Sequence, residues 1–148
     1  MDAPRIRPLA VGDLARWLPL WAAYLRFYET ALPPGAMEET FRRLLDPAEP
    51  MHGLVAERGS ELIGLVHTIF HRSCWTAGDY CYLQDLFVSE AARGAAVGEA
   101  LIEAVYALAD EAGAARVYWL TNETNEPARR LYDRVAVRSG FIQYRRRA

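Results

Sequence analysis

The sequence predicts an α/β domain built on a mixed β-sheet, antiparallel at first and locally parallel further on. Two patterns lead there: consecutive strand signals in the middle of the chain, and a strand, helix, strand, helix, strand alternation after them. Size and composition set the scale, because 148 residues that are 52% apolar and 24% charged suit one core and one domain, 1–148.

Residues 5–9 carry a short strand pattern. Asp13 then stands where it can cap a helix whose apolar stripe is Leu14, Trp17, Leu18, Trp21, Leu25 and Tyr28, with Pro19 predicting a kink. The turn-forming LPPGA leads to a second helix over 37–45, which Asp46 and Pro47 close. Strand patterns follow in GLVAE, LIGLVHTIF and YCYLQDLFV, separated by polar turns, as an antiparallel meander. Over 97–112, Val97, Ala100, Leu101, Ala104, Val105, Leu108 and Ala109 recur at helical spacing, and Gly113 supplies the stop. A strand over 116–121, a helix over 125–137 with Pro127 in its first turn, and a last strand in FIQYR complete about four helices and their sheet. The final YRRRA reads as a solvated strand end.

A formal net charge of −2 provides no general attraction to nucleic acid or anionic lipid, so neither is an expected partner and a small molecule is. Cys74 and Cys81 are too few for a disulfide scaffold and lack a CxxC partner for zinc, which predicts a reducing, cytoplasmic setting. His67, His71 and Cys74 offer three ligands without a fourth, so solvated histidines and no metal are expected. The opening MDAPRIRP lacks the apolar core of an export signal, and no stretch nears the ~20 apolar residues of a membrane helix.

The chemistry concentrates where YLQDLFV ends and the 97–112 helix begins. The connecting SEAARGAAVG brings Arg93, Gly94 and Gly98 to a helix N-terminus, whose unpaired N–H groups and partial positive charge suit a phosphate. Arg93 adds a cation at that end, which the helix dipole disfavours unless an anion lies between. The same glycines could instead shape a turn and pack the helix on the sheet; neither the phosphate-loop nor the dinucleotide pattern is present.

The run Arg93, Gly94, Ala95, Ala96, Val97, Gly98, with YLQDLFV before it and NEPARRLYDR and GF after it, resembles the GCN5-related N-acetyltransferase (GNAT) family over nearly the whole chain. It is most similar to the small-amine, polyamine-like and Hpa-type branches. Ala96 departs from the pattern, standing where the family usually has its middle glycine. A methyl group disfavours positive φ, so the loop is expected to be helical at that point.

The resemblance implies a GNAT-like, mainly antiparallel sheet with a splayed central strand pair, and acetyl-coenzyme A as cosubstrate. Leu86, Phe87 and Val88 match the positions whose backbone pairs with the pantetheine arm. Arg93, Gly94, Ala95, Ala96, Val97, Gly98 and Glu99 match the pyrophosphate cradle, and Asn125 and Ala128 match cofactor contacts near the arm. Asn125 is equally an N-cap. Tyr132 matches the tyrosine that protonates the departing thiolate, although its helix stripe alone would make it a core aromatic.

Gln84 and Asp85 interrupt an apolar strand, and a carboxylate there is either paired with an arginine or placed to meet a cationic amine and take its proton. The polyamine-like branch is typically acidic at the position of Gln84, which shifts that burden to Asp85 or to water. The family's acceptor pocket maps to YLRFYETALPPGAMEET, where Tyr24, Tyr28, Glu29, Glu38 and Glu39 would favour a cation or merely solvate the surface. The implied reaction is direct attack of a small-molecule primary amine in a ternary complex. Acetylation of protein lysines or N-termini, and noncatalytic acyl-coenzyme A binding, are the alternatives. Family members are often dimers, which implies a homodimer here.

Overall fold

The computed structural model describes residues 3–94 and 96–148. Four antiparallel strands build most of the sheet: β1 (Arg5–Pro8), β2 (Met51–Arg58), β3 (Glu61–His71) and β4 (Tyr80–Val88). A fifth, β5 (Arg116–Tyr118), joins β4 in parallel, so the spatial order β1-β2-β3-β4-β5 follows the chain. The helices are α1 (Leu14–Phe27), α2 (Ala36–Leu45), α3 (Val97–Glu111) and α4 (Glu126–Val135). The mixed, mainly antiparallel sheet with four helices is the arrangement that the resemblance implies.

Each face of the sheet holds its own core. On one face α3 buries Val97, Leu101, Ile102 and Val105 against Leu54, Val66, Cys81 and Leu83. On the other, α1 and α2 bury Trp17, Leu20, Trp21, Phe41 and Leu44 against Val55 and Leu65. Alternating strand residues supply both layers, as the period of 2 requires. Gly64 lets α3 approach the sheet: a Cβ there would lie 3.0 Å from Leu101 and 3.2 Å from Val97.

Several sequence expectations give way. Asp13 does not cap α1; its carboxylate accepts hydrogen bonds from Arg7, Arg16 and the Ala10 N–H, because two guanidiniums outcompete the helix amides. β5 stops at Tyr118 rather than 121, and α4 stops at Val135 rather than 137. FIQYR is not a strand: Phe141, Ile142 and Tyr144 are exposed and no described strand pairs with them.

Candidate active site

The last regular β4–β5 pair is Tyr82↔Tyr118. Beyond it β5 ends while β4 continues to Val88, so Leu83 to Val88 have β3 on one side and no strand on the other among the described residues. This is the splayed pair. An extended chain fits such an opening, because unpaired strand amides and carbonyls seek partners.

A β-bulge sits within this stretch. His67 pairs with Asp85 while Thr68 pairs with Leu83, leaving Gln84 as the extra, exposed residue. Strict alternation would put Cys81, Leu83, Asp85 and Phe87 on one face. With the bulge, Cys81 and Leu83 share the α3 core with Leu86 and Val88, while Phe87 packs with α1 and Asp85 bonds to Tyr24 of that helix. One inserted residue thus moves a carboxylate out of an apolar core and onto the α1 face.

Asp85 is held there by two donors. The Tyr24 hydroxyl lies 2.9 Å from Oδ1, and His67 Nδ1 lies 3.1 Å from Oδ2. Its side chain is 13% exposed, so the carboxylate still reaches the site. No arginine pairs with Asp85 among the described residues. His67 is only 4% exposed, which corrects the expectation of a solvated histidine; His71 is the exposed one, bonding Arg72 and Tyr118.

Phenols surround this charge. Tyr24 stacks on Trp21 with centroids 5.0 Å apart and meets Tyr28 at 5.0 Å. Burial first, and then the Asp85 charge, raise the Tyr24, Tyr28 and Tyr82 hydroxyls above the ordinary phenol value. Tyr132, on α4, packs its ring against Trp119 at 5.4 Å. Burial and then Tyr28 push it up to about 12, so it keeps its proton at neutral pH. Its stripe alone makes Tyr132 a core aromatic, and α4 brings it close enough to Tyr24 and Tyr28 for their charges to interact.

The loop before α3 differs from expectation. Ala96 is left-handed, φ 60° and ψ 20°, rather than helical, and so adopts the conformation a glycine would take without strain. Alanine cannot cap, so the first amides of α3 have no side-chain partner from that position. Gly94 turns at φ 85°. Ala95 lies outside the described residues. Gly98 has a packing role, since a Cβ there would stand 3.1 Å from Leu131 of α4. Glu99 pairs with Arg134 at 3.2 Å.

Arg93 does not turn toward α3. Its Nε donates to the Val88 carbonyl at 3.1 Å, and the guanidinium lies over Phe87 at 5.5 Å and Phe27 at 6.0 Å, on the α1 side. A cavity of about 580 Å³ opens there, lined by Leu20, Ala23, Arg26, Phe27, Phe87 and Arg93. Phe87 also contacts Tyr24 at 5.9 Å, but Asp85 and the tyrosines beside it do not line the cavity.

Asn125 caps α4, its Oδ1 accepting from the Ala128 N–H at 3.4 Å. Glu29 is exposed at the end of α1 with φ 52°, in the left-handed position that closes the helix, where Thr30 N–H reaches Leu25 O. Glu39 is engaged by Arg42 and Arg43, so it is no free anion for a ligand, and Glu38 is exposed. The open β4 edge and the uncapped α3 amides fit an extended arm ending in a diphosphate.

A profile of the Acetyltransferase (GNAT) family matches residues 17–136. The D-amino-acid N-acetyltransferase HPA3 of Saccharomyces cerevisiae is 37% identical over 144 residues, covering 95% of this chain and 89% of the yeast protein. An uncharacterized N-acetyltransferase of Bacillus subtilis, YhfO, is 30% identical over 141 residues, 94% of each chain. Among solved structures, a probable acetyltransferase matches with a TM-score of 0.85 at 23% identity over 97% of both chains. AAC(6')-Iy in complex with the bisubstrate analog CoA-S-monomethyl-acetylneamine matches at 0.83 with 19% identity, over 99% of this chain and 100% of that one. At those identities the structural likeness is one of fold.

Proposed function

Since the chain belongs to the GNAT family and is a GNAT N-acetyltransferase, we propose that it acetylates the primary amine of a small molecule, a polyamine, an amino acid or similar, in a ternary complex. The observation that carries this reading is the Asp85 carboxylate, partly exposed among Tyr24, Tyr28 and Tyr82. A partly exposed carboxylate attracts an ammonium group through its charge. The name of the yeast relative, a D-amino-acid N-acetyltransferase, supports the same class of acceptor.

Acetyl-coenzyme A, the family's cosubstrate, supplies the acetyl group as an activated thioester. In the proposed arrangement the backbone of Leu86, Phe87 and Val88 lines its arm, with Asn125 and Ala128 near by. Gly94, Ala96, Val97, Gly98 and Glu99 supply the loop and helix amides for its diphosphate, while Arg93 faces the α1 side. Gln84, Tyr28 and Glu29 border the acceptor. Asp85 binds the acceptor ammonium and takes its proton, directly or through water, freeing the nitrogen lone pair. The amine then forms the C–N bond while the C–S bond breaks. An N–H near Val88 polarises the carbonyl, and the Tyr132 hydroxyl gives its proton to sulfur.

We further propose that residues 1–148 act as a single catalytic domain, in the cytoplasm and as a homodimer. Exposed, unpaired Cys74 agrees with a reducing compartment, and the exposed Phe141, Ile142 and Tyr144 agree with a covering second chain. The test is a thiol-release assay with acetyl-coenzyme A against polyamines, amino acids, aminoglycosides and lysine peptides. Release should be faster with a small amine than with any peptide; release with peptides alone, or with none of the panel, would overturn the assignment.

A further inference from the structure

We propose that Trp17 and His67 form a positioning pair that fixes the orientation of Asp85 toward the acceptor amine; this rests on the assignment of Asp85 to that amine. An indole N–H can only donate. Trp17 Nε1 lies 3.2 Å from His67 Nε2, so Nε2 must be the acceptor and the ring proton must sit on Nδ1. Nδ1 in turn lies 3.1 Å from Asp85 Oδ2, and its N–H donates to that oxygen. An imidazolium, or the opposite tautomer, would set two N–H groups against each other at Trp17.

The chain of contacts runs from the core to the site. Trp17 is fully buried, against Trp21 at 5.9 Å and Phe41 at 5.3 Å, His67 is 4% exposed, and the Asp85 side chain is 13% exposed. Only the last member can touch a ligand, so the first two act through it. A purely structural core position would be served by an apolar side chain, because burying an indole N–H and an imidazole costs free energy unless both are paired. The bulge at Gln84 explains the need: it frees Asp85 from regular alternation, and donors from β3 and α1 then clamp one carboxylate oxygen each.

The first measurement is the ¹⁵N spectrum of histidine-labelled wild-type protein at neutral pH. His67 should show a protonated Nδ1 and a bare Nε2; an Nε2–H tautomer or a doubly protonated ring would overturn the pair. The second is steady-state kinetics of His67→Leu, His67→Asn and Trp17→Phe, each with a thermal midpoint. His67→Leu should raise KM for the amine about tenfold with KM for acetyl-coenzyme A unchanged, the loss expected for one hydrogen bond to a charged group. Trp17→Phe should move the same constant in the same direction. In His67→Asn the side-chain amide replaces Nδ1–H as donor, and most of the amine KM should recover. Folded His67→Leu with an unmoved amine KM, or His67→Asn as impaired as His67→Leu, would sink the pair. Failure of the underlying assignment looks different: the wild-type protein itself would release no thiol with any amine.

Discussion

Ala96 carries a methyl group at φ 60°, where an L-residue other than glycine is strained by roughly 1 kcal/mol. Ala96→Gly should therefore raise stability by about that amount, a rise of about 3 °C in the thermal midpoint for a chain of this size. No rise on calorimetry would mean the turn is not strained. Tyr132 is protonated at neutral pH as any ordinary phenol is, and burial pushes it further up, to about 12, so the phenol is available as an acid. Tyr132→Phe removes that acid and little volume. Turnover should fall roughly 100-fold, with KM for acetyl-coenzyme A nearly unchanged. At this scale the sequence marks Asp85 as an anomaly in an apolar strand, but makes His67 a solvated histidine rather than a buried partner of Asp85. A histidine in LIGLVHTIF has no local mark of its partners, because Trp17 and Asp85 lie 50 and 18 residues away.

The elements are tied together by one ionic cluster on the α1 side. Arg7 of β1 and Arg16 of α1 share Asp13 and Glu57, the latter on β2, through contacts of 2.8 to 3.1 Å. Asp13→Ala leaves two guanidiniums to one carboxylate and should cost about 3 kcal/mol. Hydrogen bonds from Arg7 are the main reason both carboxyls are held at about 2, below ordinary values of 3.8 and 4.5. Because the folded values lie below the unfolded ones, this stabilisation is complete above about pH 4.5 and is lost as pH falls toward 2. Thermal midpoints of wild type should drop steeply through that window, and those of Asp13→Ala less so. Gly64→Ala would push a methyl into Leu101, Val97 and the Phe87 carbonyl at 3.0 to 3.3 Å, separating α3 from the sheet at a cost of about 2 kcal/mol.

At the scale of the molecule, two cores sandwich one sheet, and the site lies where that sheet opens between β4 and the end of β5. The chain past α4 packs little: Val137 is 92% exposed, Phe141 87% and Tyr144 89%. In the proposed homodimer the second copy covers these side chains. Sedimentation should then report two chains, and removing residues 139–148 should shift the protein to one; a monomeric full chain would exclude this arrangement.

The sequence by itself determined the elements and the family. The bounds of β4, the start of α3 and the glycine-bearing loop between them are legible because periodicity and turn chemistry are local properties. Tertiary structure alone decided which way the functional groups face. Alternation along YCYLQDLFV would bury Asp85 beside Leu83; only the register against β3, with Gln84 bulged, turns it toward Tyr24 and His67. FIQYR likewise has the pattern of a strand, yet it pairs with no described strand. A side chain's face depends on pairing partners far away in sequence, and local patterns do not encode that choice.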